Sequence, residues 1–169
     1  MDTSVTSSRA LIASAGLIAA IVVSATAVAC GSDDNTTTIP KDPTFIATMT
    51  GAGETPANNT TGTGTATIVK SNGTYTYTIT YSGMSGTLTG GHIHGPAAAG
   101  TNTVVIVPFA NATGAATSGT LTGTFTSTNS VNISNDSLDK LMTSGNAYVN
   151  LHTALNGGGE IRGQLSRQQ

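Results

Sequence analysis

Imidazole is the side chain best suited to ligating a transition metal near neutral pH, and this chain has only three of them. His92 and His94 sit one residue apart in GGHIHGP, residues 90–96, and His152 lies in AYVNLHT, residues 147–153. On an extended strand, residues i and i+2 share a face and lie about 6.6 Å apart. His92 and His94 are therefore expected to project together, with Ile93 turned into the core. The same alternation puts His152 on a face with Tyr148 and Asn150, opposite Val149 and Leu151. Three neutral ring nitrogens with an open fourth position suit zinc or copper, and Glu160 or water would complete the set. A second reading uses the same residues as a hydrogen-bonded polar network. Glu160 and Arg162 are i, i+2 partners in EIRGQLS, residues 160–166. With His152 and one of the paired histidines they would fix strand register, because buried polar groups must find partners. Spacing alone ranks the network ahead of the metal, since it does not make the strands neighbours.

Strands must position these side chains, and the composition favours strands. Charged residues are 8% and aromatics 4%, while 37% of the chain is apolar and Thr, Ser, Asn and Gly abound. In TYTYTITY, residues 74–81, Tyr75, Tyr77, Ile79 and Tyr81 alternate with threonines, the period of a half-buried strand. SNG, residues 71–73, predicts a tight hairpin turn back to ATIVK. Further strands are expected at 44–50, 87–94, 103–109, 119–126, 147–153 and 160–166, with Pro108 marking an edge or bulge. NDSLDKLMTSG, residues 135–145, predicts one short helix, capped by Asp136 or Ser137, striped by Leu138, Leu141 and Met142, and ended at Gly145. The sum is an all-β domain of about eight short strands, a sandwich or barrel.

The first thirty residues are a separate problem. LIASAGLIAAIVVSATAVA, residues 11–29, is unbroken apolar and small, long enough for a bilayer span or a secretory signal. It ends at Ala29-Cys30 and is followed by the polar GSDDNTTT. That junction resembles a bacterial lipoprotein signal: residues 1–29 removed, Cys30 lipidated, residues 30–43 a flexible tether. The domain is then expected outside the cytoplasm, held to the cell membrane or outer membrane by its lipid. Cys30 is the only cysteine, so no disulfide framework is available. Net charge is −2 with no basic run, which leaves nucleic-acid binding without electrostatic support.

GAGETPANNTTGTGTATIV, then GGHIHGPAAAG, then SGNAYVNLHTALNGGGEIRGQL, in that order, resemble the CHRD domain family, a module named after chordin and common in exported bacterial proteins. The resemblance covers about residues 44–166. It implies an antiparallel β-sandwich of immunoglobulin-like, superoxide-dismutase-like Greek-key type, and a binding or interaction role with a partner protein; the polar, Thr-rich composition adds a glycan as the alternative partner. Glu54 and Pro56 match the family's Glu-x-Pro element, and Glu54 joins Glu160 and Arg162 as members of the polar network. The recurring residues carry over as His92, His94, His152, Glu160 and Arg162, with Gly95, Gly159 and Gly163. A dismutase-like enzyme ranks third, because three histidines are too few to hold a redox copper and a zinc together. The chain also has no nucleophile elbow, phosphate loop or usable cysteine. A non-catalytic module is expected, with no certain cofactor beyond the candidate zinc or copper.

Overall fold

The computed structural model describes residues 42–127, 131, 133 and 135–169, and of Asn135 and Asp136 only the backbone. The apolar leader, Cys30 and residues 30–41 of the tether lie outside the described residues.

Nine strands form in chain order: β1 (Thr44–Thr50), β2 (Thr63–Ser71), β3 (Thr74–Ser82), β4 (Leu88–His94), β5 (Val105–Pro108), β6 (Gly119–Thr126), β7 (Tyr148–Thr153), β8 (Ile161–Gln164) and β9 (Ser166–Arg167), with α1 (Asn135–Ser144) between β6 and β7. All pairings are antiparallel, along the path β5-β4-β7-β8-β1-β2-β3-β6, with β9 on β1. The expected all-β class holds, with two differences of detail. Strands of the two halves are hydrogen-bonded in one continuous path rather than as separate sheets. β1 meets β8 at a single pair, Thr50 with Arg162. There the sheet folds over, and the buried faces of both halves meet in one core. The second difference is the expected strand 160–166, which breaks at Leu165. That side chain is fully buried and its N–H donates to Ala147 O at 2.9 Å, so the strand resumes as β9 on a new neighbour.

Alternation builds that core. Tyr75, Tyr77, Ile79 and Tyr81 of β3 are all buried and the threonines between them exposed. Each such burial stabilises the fold by roughly 1.5–3 kcal/mol. Tyr75 stacks on Phe125 of β6 at 4.8 Å, and Tyr77 packs on Phe109, just after β5, at 4.6 Å. The first contact lies between neighbouring strands, and the second brings the β3 end of the strand path against the β5 end. The β2–β3 turn uses Asn72 (φ 49°) and Gly73 (φ 80°), as the SNG sequence predicts. Pro108 lies in β5, an edge strand, where a missing donor costs no ladder bond.

α1 buries Leu138 and Met142, packs Leu141 on the core, and ends at Gly145 with φ 71°. Asp139 of the helix is partnered from the sheet. It accepts from the Tyr75 hydroxyl and pairs with Lys70, which pins the helix to β2 and β3.

β7 decides where the candidate site sits. Every one of its residues is buried. Val149 and Leu151 face the core, and the opposite face is covered as well. The chain after β4 doubles back: Gly95 N–H donates to Val104 O at 3.3 Å, and Ala97 N–H to Asn146 O at 2.9 Å. The resulting loop, residues 95–104, lies over Tyr148 and Arg162.

Candidate metal centre

The three histidines converge. His92 and His94 come from β4 and His152 from its neighbour β7, with one ring nitrogen of each within 4.8 Å of the others. Register does this: His92 pairs with Asn150 and His94 with Tyr148, while His152 pairs with Gly90. Gly90 packs against the cluster in a way the spacing did not reveal. A Cβ there would lie 3.2 Å from Cε1 of His92, so the glycine leaves that ring its place beside His152. The paired glycines of GGHIH were the available signal.

Two rings are held by backbone carbonyls. His94 Nδ1 lies 3.0 Å from Thr103 O, and His152 Nδ1 lies 3.1 Å from Gly157 O. A carbonyl only accepts, so each Nδ1 carries the proton and each Nε2 presents a lone pair. Outer carbonyls that fix the tautomer of ligating histidines are a recurring feature of metal sites. His152 Nε2 lies 3.1 Å from His92 Nδ1, whereas His94 Nε2 is buried with no hydrogen-bond partner. A tetrahedral zinc with Zn–N near 2.0–2.1 Å sets its ligand nitrogens about 3.3 Å apart. The His92–His152 pair is already at that separation. His94 and His152 are buried and His92 is partly exposed, so the cluster opens towards solvent on the His92 side.

Electrostatics keep the rings neutral, the form that binds metal. Burial lowers all three pKa values. His92 falls to about 4, with further lowering from His152 and His94; the carbonyls of Thr103 and Gly157 partly oppose the shift at His94 and His152. Because the folded values lie below 6.5, the stability these rings contribute is complete above that pH. It is lost as the pH falls below 6.5, the His92 share as the pH approaches 4.

The other expected site residues part company. Glu160 is not a neighbour of the histidine nitrogens. Its Oε1 accepts from Thr60 Oγ1 and from Ser85 N–H, each at 2.7 Å; its Oε2 accepts from Ser85 Oγ at 2.6 Å and from Thr153 Oγ1. Burial would raise this carboxyl, but those donors outweigh it and bring it down to about 2. Glu160 is therefore corrected from fourth metal ligand to the centre of a separate hydroxyl cluster. The i, i+2 count failed because Glu160 precedes β8 and follows Gly159 at φ 136°, where strand alternation does not yet hold. Thr60, Ser85 and Thr153 went unnoticed in a chain so rich in hydroxyls.

The expected network of Glu160, Arg162 and Glu54 is likewise divided. Arg162 is 2% exposed and lies over the Tyr148 ring, 3.4 Å from guanidinium carbon to centroid. Its Nη1 donates to Asn102 Oδ1 and its Nη2 to Thr101 O, both at 3.0 Å, holding the 95–104 loop down. Tyr148 stacks on His94 at 4.9 Å, so a ring-on-ring column runs from Arg162 to the histidines. Glu54 sits close to Arg162 and takes a long bond from Asn150 Nδ2, 3.5 Å. Burial nevertheless outweighs the guanidinium and lifts its carboxyl from 4.5 to about 7.

A raised carboxyl favours the fold below its unfolded value of 4.5, and that contribution is lost as the pH rises through 7. Glu54→Gln keeps the shape without the charge. It should match the parent at about pH 4 and exceed it at about pH 8, by on the order of 2 kcal/mol. Urea denaturation at the two pH values measures this, and an equal difference at both would refute it.

A protein-family model for the CHRD domain matches residues 45–165. Searches of curated proteins and of solved structures returned no match. The matched span runs from β1 to just beyond β8 and takes in every residue of the histidine cluster and its carbonyl supports. The chain belongs to the CHRD domain family.

Proposed function

We propose that this protein is an exported binding module of the cell envelope that holds a zinc or copper ion at His92, His94 and His152. The carrying observation is His94 Nε2, a buried lone pair without a protein partner, beside two further neutral rings. Leaving a buried acceptor unsatisfied costs about 1–3 kcal/mol, and an ion in the cluster removes that cost. Three histidines with one open coordination position fit either metal. Water, or a donor from a partner, completes the set in place of Glu160. The role is binding rather than catalysis, since among the described residues no paired acid and base accompanies the cluster. The apolar leader and the Ala29-Cys30 junction support a lipid on Cys30 that tethers the domain to a membrane. Family membership favours a protein partner, and the polar, Thr-rich surface suits a glycan as the alternative.

Metal content of the untagged full chain, by mass spectrometry after exposure to zinc or copper and desalting, tests the site. Near-stoichiometric metal in the parent, lost in the His92→Ala/His94→Ala/His152→Ala variant, is the expected result. A metal-free parent with a much less stable triple variant would assign the rings to holding β4 against β7. The 3.1 Å bond between His92 and His152 favours that second reading.

A further inference from the structure

The half of the sheet remote from the histidines carries a second ordered array. On the outer face of β2, β3 and β6, Thr65, Thr80 and Thr120 form one cross-strand row, and Thr67, Thr78 and Thr122 form the next. All six are exposed. Strand spacing sets neighbours within a row about 4.8 Å apart, and two strand rises set the rows about 6.7 Å apart. The hydroxyls of Thr80 and Thr120 lie 3.3 Å from each other, so these two side chains stand side by side.

Strand propensity does not demand this. Val, Ile or Tyr would serve the backbone equally, and exposed sheet surfaces ordinarily gain solubility from charged side chains. Here the outward positions are uncharged. Lys70, the one charged residue of these three strands, pairs with Asp139 and sits beside the inward-facing Tyr75. A neutral face offers nothing to nucleic acid, an acidic lipid or a charged peptide. Nor does it offer the aromatic platforms that sugar rings stack on: the chain has no Trp, and the tyrosines of β3 point inward.

Each threonine presents a methyl group, over which water forms an ordered cage, and a hydroxyl that joins that cage. Repeats near 4.8 and 6.7 Å are close to the spacings of oxygen atoms on a prism face of ice. Sheet twist accumulates by roughly 20–25° per strand, which confines the match to the three adjacent strands that carry the two rows. From this juxtaposition we infer that the threonine face of β2, β3 and β6 adsorbs to ice, a function separate from the histidine cluster.

The test is growth of ice grains in an annealed frozen film of the full chain, together with adsorption of the fluorescently labelled chain to a single ice crystal. The parent should halt grain growth and label the crystal. Thr78→Lys/Thr122→Lys should lose both effects, and Val104→Lys, exposed but away from the array, should keep both; thermal melts show that each is folded. A parent that leaves grain growth unchanged overturns the inference whatever the variants do. Equal activity in parent and double lysine variant overturns the assignment to this face. Retention on powdered chitin or cellulose without any effect on ice overturns it in favour of a glycan. None of these readouts depends on bound metal, so failure here leaves the histidine proposal standing.

Discussion

Zinc at a hundredfold excess over its dissociation constant should raise the melting temperature of this protein by about 10 °C and leave the His152→Ala variant unmoved. A ligand that binds only the folded state at that excess adds about 2.7 kcal/mol, and each kcal/mol moves the midpoint of a domain of this size by a few degrees. His152 is the informative position. It bridges the cluster to the 153–159 turn through Gly157 O and faces His92 across the strand pair. Its truncation removes one ligand and frees His92 from its ring partner. His152→Gln separates coordination from packing, because the amide retains polar contacts while losing the imidazole. The proposal requires both variants to lose the zinc shift, although the glutamine protein should melt nearer to the parent. An undiminished shift in both would place the metal elsewhere. The shift should also fade as the pH falls towards 4, where protons take over the ring nitrogens.

Glu160→Ala should cost about 2–3 kcal/mol of folding stability whether or not metal is present. The carboxylate is fully buried and accepts from Thr60, Thr153 and both the hydroxyl and the N–H of Ser85. Removing it strands donors from three separate segments, of which Thr153 is buried, Thr60 half-buried and Ser85 exposed, and an unsatisfied buried donor costs about 1–3 kcal/mol. Glu160→Gln should lose less, since one amide oxygen still accepts while its NH2 opposes donors. Acid supplies an independent check with the opposite dependence to Glu54. A carboxyl depressed to about 2 contributes stability that is complete above 4.5 and is lost as the pH falls towards 2. The parent should therefore show a loss of stability below pH 4.5 that is reduced in Glu160→Gln. Equal acid sensitivity of the two proteins would remove Glu160 from this role.

Local pattern determined much of this protein. The alternation in TYTYTITY sets which face of β3 is buried, SNG sets its turn, and Gly145 sets the end of α1, because each depends on backbone geometry within a few residues. The histidine faces were legible for the same reason: Ile93, Val149 and Leu151 are the apolar alternates that fix which way His92, His94 and His152 point. Whether those three rings meet was a matter of register between β4 and β7, strands whose contacting residues lie about sixty positions apart. No local rule sets that. Tertiary structure also divided the charged residues that spacing had grouped. Glu160 and Arg162 count as same-face partners only on an unbroken strand, and the left-handed backbone at Gly159 sends the carboxylate to Ser85 and Thr60. Burial of β7 on both faces follows from the 95–104 loop folding back over Arg162, a placement made by a guanidinium, an aromatic ring and two loop oxygens. Strands, faces and family follow from local pattern; which polar groups share a site depends on long-range pairing and on the loops that close over it.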